Sequence, residues 1–156
     1  MKRKQIERKM TDLKIISING KPGLYKLLTS TKSGIIAESL IDKKRAMAAF
    51  TNISSLDEIA IYTYEEEIPL WEVFQKIALK EDYNKAIDHK SSKKALEEYL
   101  REVLPDFDED RVYTSHIKKM IQWYNILQTA EILKAFIDEK EAEKMAYEAK
   151  QKENEA

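Results

Sequence analysis

The chain of 156 residues contains no cysteine, which removes disulfide bridges, thiolate nucleophiles and every Cys-ligated zinc or iron–sulfur site. Glycine is nearly as scarce, with only Gly20, Gly23 and Gly34. A P-loop and a Gly-x-Gly-x-x-Gly dinucleotide turn both need glycines at spacings these three do not provide. The two histidines, His89 and His116, form neither a His-x-x-x-His nor a His-Glu-x-x-His pair, so metal-assisted hydrolysis has no ligand set. No apolar run approaches the roughly 20 residues that a membrane-spanning helix needs. Met1-Lys2-Arg3-Lys4 begins like the basic part of a secretory signal, but Glu7, Arg8, Lys9 and Asp12 stand where its apolar part belongs. These absences point to a cytoplasmic protein with no cofactor and no membrane partner. Charge of one sign is also lacking, because 27 Lys and Arg face 28 Asp and Glu for a net charge of −1, which argues against a generic polyanion binder. That neutrality is an average: residues 1–9 carry +4, residues 10–63 carry +2, Glu65-Glu66-Glu67 carries −3, and residues 69–138 and 139–156 carry −2 each.

What is present divides the chain into a β region and an α region. Leu13 to Asn19 is short and rich in β-branched residues, which reads as a strand. Pro22 and Gly23 fit the two central positions of a type II turn, so the chain is expected to reverse over Gly20–Gly23. Strands at Leu24–Ser30, Ile35–Ile41 and Arg45–Thr51 come next, separated by Ser33-Gly34 and Asp42-Lys43-Lys44. The polar stretch Asn52–Glu58 suits a single 3₁₀ turn before a fifth strand, Ile59–Thr63. Five short strands with such a turn before the last match the plan of a small SH3-like barrel. A barrel of about 50 residues is marginal alone and needs support from the helical part of the chain.

Pro69 suits the first turn of a helix, and Leu70, Val73, Phe74 and Ile77 repeat at helical spacing. Ser91-Ser92 offers N-caps for a helix carrying Leu96, Tyr99, Leu100, Val103 and Leu104, which Pro105 ends. Thr114 or Ser115 caps a third helix with Ile117, Met120, Ile121, Tyr124 and Leu127 on one face. Its stripe drifts toward Ile126, Ala130, Leu133 and Ile137, so residues 114–138 are either one long helix or two that break near Gln128-Thr129. From Glu139 onward the chain is Glu, Lys and Ala, a solvated helix or frayed tail. The expectation is an α+β protein: a basic arm (1–11), a five-stranded SH3-like β-barrel (12–64), a helical segment of three or four helices (69–138) and a charged tail (139–156).

The strings Gly20-Lys21-Pro22-Gly23-Leu24-Tyr25-Lys26-Leu27, Ser55-Leu56-Asp57-Glu58-Ile59-Ala60-Ile61-Tyr62 and Leu104-Pro105-Asp106-Phe107-Asp108-Glu109-Asp110-Arg111-Val112-Tyr113, with Trp123-Tyr124-Asn125 after them, resemble a family of uncharacterised bacterial proteins known as a domain of unknown function. The resemblance covers roughly residues 12 to 128. It implies a cytoplasmic bacterial setting and transfers no catalytic residues.

Four patterns bear on chemistry. Asp106, Asp108 and Asp110 alternate like the first ligands of an EF-hand, but Arg111 stands where that loop needs Gly and Ile117 where it needs Glu. An acidic interhelical loop pairing with Arg111 is the better reading. Ser115 and His116 adjoin in sequence, which does not make a catalytic dyad. Trp71, Trp123 and Tyr124 are candidates for a base-stacking platform, but aromatics at helical spacing are more often core, and core is the reading taken; Tyr124 lies on its stripe, while Trp71 and Trp123, just beside theirs, are the two better placed to reach the barrel or a partner. Lys43, Lys44 and Arg45, with Lys21 and Lys32 on other turns, are the candidate contact residues for a partner or for nucleic acid. With no acid, base, nucleophile or metal constellation, the protein is read as a non-enzymatic interaction or adaptor protein with a protein partner. RNA or DNA bound by the basic turns is the alternative, an unrecognised enzyme the minor one, and self-association through the C-terminal helix a further expectation.

Overall fold

A computed structural model describes residues 14–155; the expected basic arm and the first residue of the expected first strand lie outside the described residues. Strands β1 (Ile15–Ile18), β2 (Lys21–Ser30), β3 (Gly34–Ser39), β4 (Arg45–Ala49) and β5 (Ile53–Ser55) form one antiparallel sheet in the order β4-β3-β2-β1-β5. The sheet is open, which corrects the closed SH3-like barrel. A 3₁₀ turn, Phe50–Asn52, carries the chain from one edge strand to the other, and β5 has only three residues with which to pair.

The fifth strand also comes from a different segment than expected. Ile53–Ser55, expected to be a polar link, pairs with β1 through Ile18↔Ile53 and Ile16↔Ser55. The expected strand Ile59–Thr63 is instead β6 (Ala60–Tyr62), which pairs with β7 (Glu67–Pro69) in a separate two-stranded sheet. The first reversal moves too. The β1–β2 hairpin turns over Asn19-Gly20, with Ile18 opposite Lys21 and Gly20 at φ +80°, a conformation open to glycine at little steric cost. Pro22-Gly23 then falls inside β2, where the β1–β2 register shifts and Gly23 takes φ +85°, so it forms a bulge rather than the expected turn.

Alternation along the strands gives the sheet two apolar faces. Ile16, Ile18, Tyr25, Ile35 and Ala37 form a small cluster on one face. Ile15, Leu24 and Leu40 point to the other and join the main core with the helices. Those helices are α1 (Leu70–Glu81), α2 (Lys93–Val103), α3 (Thr114–Thr129) and α4 (Leu133–Glu155), and each expected stripe residue of the first three is buried, Leu104 included. Ser92 caps α2 by accepting from the Ala95 N–H at 3.2 Å. Tyr113 precedes α3, and His116 Nδ1 accepts the Tyr113 N–H at 3.1 Å in place of a Thr or Ser cap.

Residues 114–138 form two helices. Glu131 adopts φ 62°, and the Ile132 N–H returns to the Leu127 carbonyl at 3.1 Å, the closing bond of a Schellman motif. The tail is helical to Glu155, with Leu133, Phe136, Ile137 and Lys140 buried and the residues beyond Glu141 exposed. Among the described residues, no helix is long and apolar enough to cross a membrane.

Candidate functional site

A cleft of about 640 Å³ opens where the sheet meets the helices. One wall is the β1–β2 hairpin with Ser54 of β5, another is β6, and the third is the segment from Arg111 through Trp123 of α3. The sequence folds this way because α3 carries two faces. Ile117, Ile121, Tyr124 and Leu127 bury one against the core. His116, Lys119 and Trp123, at i, i+3 and i+7, form the second, which lines the cleft.

The lining is unusual in its charge. Lys21 and Lys119 contribute positive charge, Arg111 a guanidinium paired with Asp108, and His116 an imidazole, while among the described residues no carboxylate lines the cleft, although acidic residues outnumber basic ones in the chain. Neither Lys21 nor Lys119 has a carboxylate partner among the described residues, in contrast to Lys80, Lys134 and Lys144. Two unpaired ammonium groups beside a low-dielectric wall raise the local potential and attract anions.

Arg111 is held in place. Its Nε donates to Asp108 Oδ2 at 2.7 Å, its Nη2 donates to the Thr63 carbonyl at 3.4 Å, and its guanidinium carbon lies 4.2 Å from the centre of the Tyr62 ring. The Asp108 carboxyl also accepts the Asp110 N–H at 3.0 Å. Arg111, ahead of these backbone donors, holds that carboxyl below its ordinary value of 3.8. The acidic loop therefore positions a cation, as its pairing with Arg111 suggested. Among the described residues, no three His, Cys, Asp or Glu side chains gather closely enough to hold a metal. The Asp108 N–H donates to the Tyr62 carbonyl at 2.9 Å and Thr63 bridges to Phe107, so the loop is stitched to β6.

Of the five residues selected from sequence, only Lys21 lines the cleft. Lys32 lies in the β2–β3 turn, and Lys43, at φ 65°, and Lys44 occupy the β3–β4 turn, where Asp42 accepts the Lys44 N–H at 3.0 Å. Arg45 starts β4 opposite Glu38. The fold thus spreads these cations over separate turns. Sequence reading paired Arg111 with the acidic loop and set Trp123 beside the core stripe, but it assigned neither of them, nor Lys119, to a shared cleft. The signal was the second face of α3, His116-x-x-Lys119-x-x-x-Trp123, beside the apolar stripe. Trp71 is half-buried and lies elsewhere, with the Lys144 ammonium 5.9 Å from its ring. Tyr124 and Asn125 have a structural task. The Tyr124 hydroxyl donates to the Asn84 carbonyl at 2.8 Å, and the Asn125 amide clamps Ala86 and Ile87. Burial pushes the Tyr124 hydroxyl up to about 12.

Comparison with known proteins divides the chain at this cleft. Residues 13–56 match a model described as domain of unknown function (DUF5606), and residues 59–127 match a second, domain of unknown function (DUF6852). The hairpin wall comes from the first segment, and the β6 and α3 walls from the second. A structural-genomics target from Bacteroides vulgatus, solved by NMR in solution, is 46% identical, with the match covering 76% of this chain and 86% of that one at a TM-score of 0.64. No curated protein matches.

Proposed function

The chain belongs to the family of uncharacterised proteins that joins these two domains of unknown function, and from that premise we propose that it is a non-enzymatic interaction protein whose cleft receives an anionic partner. The observation that carries this reading is a cleft lined by Lys21, Arg111, His116 and Lys119 with no carboxylate among the described residues of its lining. Its walls are a hairpin and a helix anchored in the core, which suits recognition by a preformed surface. The open five-stranded sheet supports the same class, since its turns and edge strands are available to partners.

A second reading keeps the partner on the turns, at Lys32, Lys43, Lys44 and Arg45. One experiment separates the two. The full chain is loaded on a heparin column at low salt and eluted with a salt gradient, with circular dichroism verifying the fold of each variant. The paired substitution Lys21→Glu and Lys119→Glu is expected to lower the eluting salt markedly, and Lys43→Glu with Lys44→Glu to lower it little. If only the turn substitutions shift elution, the contact surface is the turns. If the wild-type chain fails to bind at all, the cleft is not an anion site.

A further inference from the structure

Resting on the anionic-partner reading, we infer that the occupant of the cleft is single-stranded nucleic acid, with a base stacked on Trp123 and phosphates held by Lys21, Arg111 and Lys119. Cations alone would accept any anion, so the inference turns on what stands between them. Trp123 is half-buried on the cleft wall, and Tyr62 lies on the adjoining wall with the Arg111 guanidinium 4.2 Å from its ring centre. A guanidinium fixed over an aromatic ring offers its other face to a further flat group. Interleaved aromatic and cationic side chains match a polymer that alternates π-faces with phosphates.

Length and shape narrow the choice further. From His116 to Trp123 the helix rises about 10 Å, room for more than one phosphate of a strand. A duplex is disfavoured because its bases are stacked on one another, away from an aromatic wall. An acidic peptide would satisfy the ammonium groups but leave the indole without a flat partner. Polar groups that could contact base edges without fixing a sequence, Asn19 and Gln122, line the same space. The near-neutral total charge does not oppose the reading, because the binding field is set by the local lining and screened beyond about 10 Å.

The test uses the full chain with Trp71→Phe, which leaves Trp123 as its only tryptophan. Its fluorescence is titrated with a mixed-sequence single-stranded RNA of about ten nucleotides, with the same length of DNA, with adenosine monophosphate, and with a poly-glutamate peptide. The expected result is saturable quenching by the single strands that falls steeply with salt and disappears in Lys21→Glu with Lys119→Glu. Trp123→Ala, monitored by anisotropy of a labelled strand, is expected to weaken binding by about fivefold to a hundredfold, and Trp123→Phe by less. Because Trp123→Ala removes a half-buried ring, retained folding of the Phe variant keeps the comparison decisive. Binding of the peptide through the same lysines, with no strand binding, overturns the nucleic-acid inference and leaves the anionic cleft standing. Adenosine monophosphate binding as tightly as the strands overturns it in favour of a free nucleotide. Absence of binding by every probe overturns both.

Discussion

The ion pair between the tail helix and the 3₁₀ turn after β5 makes a quantitative test of how the helical and sheet regions are joined. Lys140 of α4 is 6% exposed, and its ammonium lies 2.7 Å from Asp57, in the 3₁₀ turn after β5, and 3.5 Å from Glu143. Burial alone pushes the Lys140 ammonium down, but the Asp57 hydrogen bond and charge, with help from Glu143, outweigh it and raise the group above 10.5. Asp57→Ala leaves a desolvated ammonium with the more distant Glu143 and the charge of Glu139. Stripping one partner from a fully buried pair costs about 3–5 kcal/mol. Here Asp57 is 38% exposed and water screens its side of the pair, so we expect about 2 kcal/mol. Lys140→Met keeps an unbranched apolar side chain and removes the desolvation penalty, along with the ammonium 5.7 Å from the Phe136 ring centre, so it should change stability by less than about 1 kcal/mol in either direction. On that background Asp57→Ala should cost no more than about 0.5 kcal/mol, a coupling near 1.5 kcal/mol. Urea unfolding monitored by far-ultraviolet circular dichroism measures the wild type and the three variants. Because the folded chain binds this proton more tightly than the unfolded chain, the pair's contribution is full below pH 10.5 and fades as pH rises through the raised value. Equal cost of Asp57→Ala in both backgrounds would refute the argument, since the contact would then do nothing for stability.

The helices were legible because burial and periodicity coincide. Leu70, Val73, Phe74 and Ile77, or Leu96, Tyr99, Leu100 and Val103, are both the regular stripe and the buried face, so sequence spacing alone locates them. The break at residues 130–132 was harder, because a left-handed Glu131 carries no glycine to announce a helix end. In the sheet, Asn19-Gly20 was the strong hairpin signal, and the Pro22-Gly23 pair three residues later masked it with an equally good turn pattern. Ile53–Ser55 was missed as a strand since three residues show no alternation. Ile59–Thr63 was found as a strand and assigned to the wrong sheet, because strand chemistry does not encode the partner.

The site was less legible for a related reason. Lys21 and Arg111 are 90 positions apart and line one cleft, with the Arg111 loop held to β6 by backbone bonds that any side chains could make. Runs such as Lys43-Lys44-Arg45 attract notice in a linear reading, whereas a cleft gathers single charges from distant elements. What could be read locally was the pairing of the acidic loop with Arg111 and the placement of Trp123 beside the core stripe, and both residues prove to be in the cleft wall.

Two further outcomes are expected. A Cβ at Gly34 would lie 2.1 Å from the Ala48 carbonyl oxygen, whereas one at Gly20 would meet nothing within 4 Å. Gly34→Ala should therefore cost about 3 kcal/mol or more by forcing β3 from β4, and Gly20→Ala about 1 kcal/mol through its positive φ alone; similar urea midpoints for the two would contradict this. The second concerns Asp108, whose carboxyl Arg111 holds below 3.8. A lowered folded value means the carboxylate favours the folded state above about pH 4, and that the contribution drains away as pH falls through the lowered value. Asp108→Asn cannot ionise, so its deficit relative to wild type should be largest near neutrality and shrink on acidification. The same substitution frees Arg111 from its strongest anchor, so its heparin elution should shift at neutral pH, where the wild-type pair is intact. A deficit that stays constant from neutral pH to below the lowered value would mean that the asparagine loses packing rather than charge, and Arg111 would then be positioned by Tyr62 and Thr63 instead.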